Sequence, residues 1–175
     1  MSGRTLILLR HAKSDWSGPE PDIRRPLAAR GRRQAPDAGR WLDVNVGRID
    51  LAVVSPATRA QQTWELAAAE LLTTPPTVVD DRVYAASQRE LLAVVQELPS
   101  DADTVVLVGH NPGLEDLAYD MVGEATAMPT SAIAVMTWSG TWSIAGHGDA
   151  LLRASGRPPR PMRQLGSQHP ENPAH

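Results

Sequence analysis

Thr5-Leu6-Ile7-Leu8-Leu9-Arg10-His11-Ala12-Lys13-Ser14 sets the frame for the rest of the chain. A short, mostly apolar and partly β-branched run ends at once in Arg and His. Such a run suits a buried strand. A strand ending in Arg10-His11 delivers a guanidinium and an imidazole to the carboxyl end of a sheet, the edge at which open α/β sheets bind ligands. Taken alone, the stretch is equally a strand that merely ends in two polar residues. The rest of the chain has to decide between them.

Two later runs repeat the pattern. Leu51-Ala52-Val53-Val54 leads into Ser55-Pro56 and then Thr58-Arg59-Ala60-Gln61. Thr-x-x-Gln has capping-box spacing, which predicts a helix from Thr58 to about Leu72. Arg59 would then sit in a first helical turn, where the dipole favours negative charge, a placement that makes sense if an anion binds there. Thr104-Val105-Val106-Leu107-Val108, the strongest strand of the chain, ends in Gly109-His110.

The segments between these runs read as a coarse alternation. Ala12 to Arg25 is a loop punctuated by Gly18, Pro19 and Pro21. Leu27 to Val46 carries an apolar stripe at helical spacing, with Arg30, Arg32, Arg33 and Arg40 on other faces as a solvated basic surface. Thr77 to Val79 is a third strand, and Asp80 to Tyr84 a loop. Ser87-Gln88-Arg89-Glu90 is a second capping box, opening a helix to about Leu98. A helix follows at Leu114 to Met121, and a strand at Ser131 to Trp138. Trp142 to Ala145 is expected to return as its paired strand, with one more short strand at Ala150 to Arg153. Strands alternating with helices predict a three-layer α/β/α fold, its central sheet mainly parallel with an antiparallel edge. Residues 1–154 are expected to form one domain, and the Pro-rich residues 155–175 a loosely ordered tail.

Composition narrows the function. The chain has 175 residues, 42% apolar and 21% charged, with a net charge of −3. That is a globular chain and not a strongly basic nucleic-acid binder. There is no Cys, hence no disulfide, thiolate metal site or thiol nucleophile. No apolar run approaches the roughly 20 residues of a membrane span, and the N-terminus lacks a signal-peptide pattern, so the expected location is cytoplasmic.

Parallel strands bring their carboxyl ends to one side of a sheet. If these strands are neighbours, Arg10, His11, Arg59 and His110 share a pocket. Two guanidiniums and two imidazoles suit a phosphoryl group: Arg forks match phosphate oxygens and keep their charge. A neutral His can attack phosphorus, and a protonated one can stabilise charge on the transferring oxygens. A catalytic zinc site would want a third imidazole or a carboxylate rather than two cations. Neither Gly-x-Ser-x-Gly nor a P-loop is present.

The motifs also carry a resemblance. Leu9-Arg10-His11 with Ser14, Pro26-Leu27, Gly31 and Gln34-Ala35 resembles the first block of the histidine phosphatase superfamily, the phosphoglycerate-mutase-like group. Ser55-Pro56, Arg59-Ala60 and Gln62-Thr63 resemble its second block, and Val108-Gly109-His110-Asn111 its third. Thr130-Ser131-Ala132-Ile133-Ala134 and the short chain are most similar to SixA-type phosphohistidine phosphatases. The resemblance covers the chain to about residue 140. It departs at Ala12, where most of the superfamily has Gly, and at Ser17, near a phosphate-contacting Asn of the mutases.

The resemblance implies a phosphoglycerate-mutase-like fold, with His11 as the phosphorylated nucleophile and Arg10, Arg59 and His110 binding the phosphoryl group. The superfamily's acid usually follows the third strand, where this chain offers Asp80, Asp81 and, later, Glu90. Asp81, followed by Arg82 and Tyr84, is the best local match for a proton donor. Trp16 either lines the substrate entrance or anchors its loop. The expectation is a phosphatase without metal or cofactor, acting through a covalent phosphohistidine on phosphohistidine in a protein, with neither nucleic acid nor membrane as partner. Phosphatase action on small phosphate esters is the first alternative, and a non-catalytic phospho-residue binding module the second.

Overall fold

The leucines of the opening stretch explain the architecture. Leu6, Ile7, Leu8 and Leu9 are all fully buried, so the strand that carries them is covered on both faces. In the computed structural model, which describes residues 3–162, this strand is β1 (Gly3–Arg10). It is followed by α1 (Ala29–Asn45), β2 (Leu51–Val54), α2 (Thr58–Ala68), β3 (Thr77–Val79), α3 (Gln88–Gln96), β4 (Thr104–Gly109), α4 (Gly113–Val122), β5 (Ile133–Ser139) and β6 (Leu151–Gly156).

The strands form one sheet in the order β3-β2-β4-β1-β5-β6. Strands β1 to β4 pair in parallel, whereas β5 runs antiparallel to both of its neighbours. Side chains alternate across it as strand geometry requires. Leu6, Leu8, Val105 and Leu107 pack with Leu91 of α3 and Leu114 of α4. Ile7, Leu9, Val106 and Val108 pack on the other face with Trp41 of α1 and Trp64 of α2. This is the three-layer α/β/α fold with a mainly parallel sheet and an antiparallel edge. Among the described residues, no helix is long and apolar enough to cross a membrane.

Several local expectations are corrected. The Thr58-x-x-Gln61 capping box does not form: Ala57 is the N-cap and no side chain caps the helix. Instead Gln61 Nε2 donates to the Pro56 carbonyl at 2.8 Å, so the Gln reaches back to an acceptor rather than a backbone donor. The helix also ends at Ala68, short of Leu72. The box at Ser87 does form, with Glu90 as its reciprocal partner. Trp142 to Ala145 is not a strand. Trp142–Ile144 makes a 3-10 turn that buries the Trp142 ring edge-on against Trp138 at 5.2 Å, and Trp142 Nε1 donates to the Ala102 carbonyl. A large apolar ring with one donor is satisfied there better than along an exposed edge.

The edge strand is β6, one segment later. It runs through Ser155 to Gly156, past the expected domain boundary at residue 154. Pro159 is buried and the Met162 N–H donates to Asn45 Oδ1 at 3.1 Å, so residues 155–162 are held against the domain. The remainder of the expected tail lies outside the described residues.

Candidate active site

The strand order brings the expected junctions together. β4 lies between β2 and β1, with Arg10 opposite Gly109 and Val54 opposite Val108. The ladder extends one bond past each strand end: His11 N–H donates to the Gly109 carbonyl and Ser55 N–H to the Val108 carbonyl, both at 3.0 Å. His11, His110 and Ser55 therefore emerge side by side. The two imidazole centroids are 5.1 Å apart, and His110 Nε2 pairs with Ser55 Oγ at 2.7 Å. Arg59 reaches the same place from the first turn of α2.

His11 is held in a definite tautomer. Its Nδ1 lies 2.7 Å from the Ala12 carbonyl, which can only accept, so Nδ1 carries the hydrogen and Nε2 the lone pair. Burial lowers the His11 pKa to about 4, with Arg59, Arg10 and Arg25 adding to the effect and the Ala12 hydrogen bond opposing it. His110 is lowered to about 3, first by burial and then by His11 and Arg59, against the charge of Asp22. Near neutral pH the free site thus holds two neutral imidazoles beside two guanidiniums.

The cations are anchored from behind. Arg10 Nη1 donates to the Met128 carbonyl at 3.0 Å. That carbonyl is held in turn by Asn111, and the Met128 N–H by Glu115. Arg59 donates to the Asp22 carbonyl at 2.7 Å and to Asp22 Oδ2 at 3.1 Å. Arg10 Nε, Arg59 Nε and His110 Nδ1 are buried and without a partner among the described residues. Unpartnered buried polar atoms are costly, and three of them on four converging side chains suit an anion that would satisfy them.

The loop after His11 is fixed by residues of the first two sequence blocks. Thr63 Oγ1 accepts from the Ala12 N–H at 2.9 Å and donates to the Arg59 carbonyl at 2.7 Å, joining the loop after His11 to the residue that carries the Arg59 guanidinium through one hydroxyl. Gln34 Oε1 accepts from Lys13 N–H, and Gln62 Oε1 from Leu27 N–H. Gly31 lies so close to the loop that a Cβ there would come within 2.1 Å of the Lys13 carbonyl oxygen. Ala12 is fully buried with Leu27 and Ala35, so the methyl that replaces the usual Gly is accommodated.

Asp81 is not brought into the site. It lies exposed in the Asp81–Val83 turn, and its carboxylate makes no hydrogen bond or ion pair with the described residues. The carboxylate at the cations is Asp22, in a short 3-10 turn of the loop before α1. Besides Arg59 it binds Tyr84 Oη at 2.6 Å and Arg25 Nη2 at 3.0 Å. Tyr84 meets the His110 ring edge-on at 5.7 Å. Arg25 also donates to Ser14 Oγ, and its guanidinium stacks 3.4 Å from the centre of Trp16, a ring that is 70% exposed. Asp22, Arg25 and Tyr84 carry no periodic or spacing signal, since each reaches the site from an irregular segment. Among the described residues, no three His, Asp or Glu side chains gather as a metal site requires.

Comparison with known proteins agrees with this geometry. Residues 6–83 match the family described as the histidine phosphatase superfamily (branch 1). An uncharacterized protein of Mycobacterium tuberculosis is 34% identical over 155 residues, which is 82% of this chain and 96% of the relative. Among solved structures, the protein assigned as phosphohistidine phosphatase SixA of Nakamurella multipartitia superposes with a TM-score of 0.80 at 28% identity, covering 89% of this chain and 96% of that one. Its counterpart from Agrobacterium tumefaciens gives 0.72 at 30% identity, covering 77% and 92%. The fold is phosphoglycerate-mutase-like, the chain is a phosphatase, and it belongs to the histidine phosphatase superfamily.

Proposed function

We propose that this phosphatase transfers a phosphoryl group to His11 and then hydrolyses the phosphohistidine, and that its substrate is phosphohistidine carried by a protein. The observation that carries the covalent step is the His11 Nδ1–H bond to the Ala12 carbonyl, which leaves the Nε2 lone pair free on a neutral ring. That lone pair attacks phosphorus in line. The bond from phosphorus to the leaving group breaks as the new P–N bond forms. Arg10, Arg59 and His110 bind the equatorial oxygens, where charge gathers. Water then attacks the phosphoenzyme, orthophosphate leaves and the electron pair returns to Nε2.

The substrate class follows from what the leaving group needs. An alkoxide leaves poorly without an acid, whereas a phosphoramidate can leave as an imidazole protonated by solvent. Asp22 is engaged by cations and Tyr84 Oη, and Asp81 is exposed with no partner among the described residues. The two solved structures assigned as SixA phosphohistidine phosphatases support the same reading. The test is kcat/KM on a phosphohistidine-bearing protein domain set beside phosphoserine, sugar and nucleotide phosphates. A clear preference for the phosphohistidine protein is expected. Equal or better turnover of an alkyl phosphate ester would overturn the substrate assignment.

A further inference from the structure

We propose that Asp22 is a positioning residue for phosphoryl transfer: it caps one edge of the Arg59 guanidinium so that the other edge faces the phosphoryl oxygens, and it does not serve as the acid. This rests on Arg59 binding the phosphoryl group, as proposed above. A guanidinium presents two forks, one made by its two Nη groups and one by Nε with an Nη. Asp22 occupies the first, taking Nη1 on its backbone carbonyl at 2.7 Å and Nη2 on Oδ2 at 3.1 Å. Arg59 Nε is left buried and unpartnered, on the edge that remains for an anion. Arg59 is only 6% exposed, so the cap also fixes which way the buried cation turns.

The same contacts exclude Asp22 as a proton donor. Oδ1 receives Arg25 Nε at 3.2 Å and Arg25 Nη2 at 3.0 Å. Oδ2 receives Arg59 Nη2 at 3.1 Å and the Tyr84 hydroxyl at 2.6 Å. Two donors on each oxygen fill the lone-pair sites of a carboxylate and leave no place for a hydrogen. Tyr84, Arg25 and Arg59 accordingly hold the Asp22 carboxyl well below the usual carboxylate range. Through Tyr84, Asp22 also reaches His110, whose ring the tyrosine contacts edge-on. One carboxylate thus ties the orientation of a phosphate-binding cation to the loop that bears Arg25 and Trp16.

The experiment compares p-nitrophenyl phosphate, which has a good leaving group, with phenyl phosphate, which has a poor one. Asp22→Asn is expected to lower kcat/KM about 10- to 100-fold, and by the same factor on both, because a misaligned cation harms each transition state alike. In an Arg59→Ala background the same substitution should change kcat/KM less than about 2-fold, since its effect runs through Arg59. Asp22→Glu keeps the charge but displaces the cap, and should also lose activity evenly on both substrates. This variant answers the question if Asp22→Asn does not fold. A loss concentrated on phenyl phosphate would identify Asp22 as an acid and overturn the proposal. So would an undiminished effect in the Arg59→Ala background, or full activity in either single variant. Trapping of a phosphoenzyme in the unsubstituted protein involves no Asp22 variant, so failure of the covalent reading would be seen separately.

Discussion

Replacing Thr63 by Val removes one buried hydroxyl and leaves the side-chain shape. The hydroxyl accepts from the Ala12 N–H at 2.9 Å and donates to the Arg59 carbonyl at 2.7 Å. Thr63 and Ala12 are both fully inaccessible to solvent, so no water can replace either bond. Losing two hydrogen bonds costs about 1 kcal/mol each, and stranding a buried N–H adds a desolvation cost of similar size. The new methyl recovers part of this by apolar burial, leaving a net loss of about 2 kcal/mol. For a chain of this size that lowers the thermal midpoint by roughly 4–8 °C. Because the hydroxyl ties the loop after His11 to the residue that carries the second cation, kcat/KM should fall at temperatures where the variant is still folded. Circular dichroism melting and steady-state kinetics at 25 °C measure the two effects. A midpoint within 1 °C of the unsubstituted protein together with unchanged kcat/KM would refute the role given to Thr63.

Three further outcomes follow from the same geometry. Gly31→Ala should destabilise by about 1–3 kcal/mol in urea unfolding despite alanine's better helix propensity, because its Cβ would press on the Lys13 carbonyl. Arg59→Lys keeps the charge but loses the fork, and should reduce kcat/KM about 100-fold, mainly through kcat. Burial lowers the folded pKa of His11 to about 4 against an unfolded value near 6.5, so between these pH values the unfolded chain binds more protons. Stability of the free protein should therefore fall as pH drops from about 6.5 towards 4, and His11→Gln should flatten that slope in urea midpoints taken at pH 7.5 and 5.

The sequence was legible where one physical rule dominated. Buried strands such as Leu6 to Leu9 announce themselves by unbroken apolar runs, and the residues directly after them, Arg10-His11 and His110, are fixed by strand ends. Arg59 was readable because it follows a strand by a short turn. Illegible were residues whose place depends on tertiary packing. Asp22 and Tyr84 lie 62 positions apart and meet only through the tertiary packing of two irregular segments. Asp81 stood at a plausible offset after β3, but the turn that holds it directs it to solvent. Trp142 looked like an edge strand because it follows a strand by a short turn containing Gly140, whereas burial against Trp138 favours a 3-10 turn. The run of β6 past residue 154 was hidden for a related reason: it is an exposed edge strand whose polar residues mask its pairing with β5.

Turnover through His11 requires that its ring carry the phosphoryl group. Rapid acid-free quenching of the enzyme with a labelled phosphodonor, followed by peptide mapping, tests it directly. Label is expected on the peptide containing His11, stable to alkali, lost in acid, and absent from His11→Ala. Turnover at the normal rate in His11→Ala, or label that maps to another residue, would contradict it.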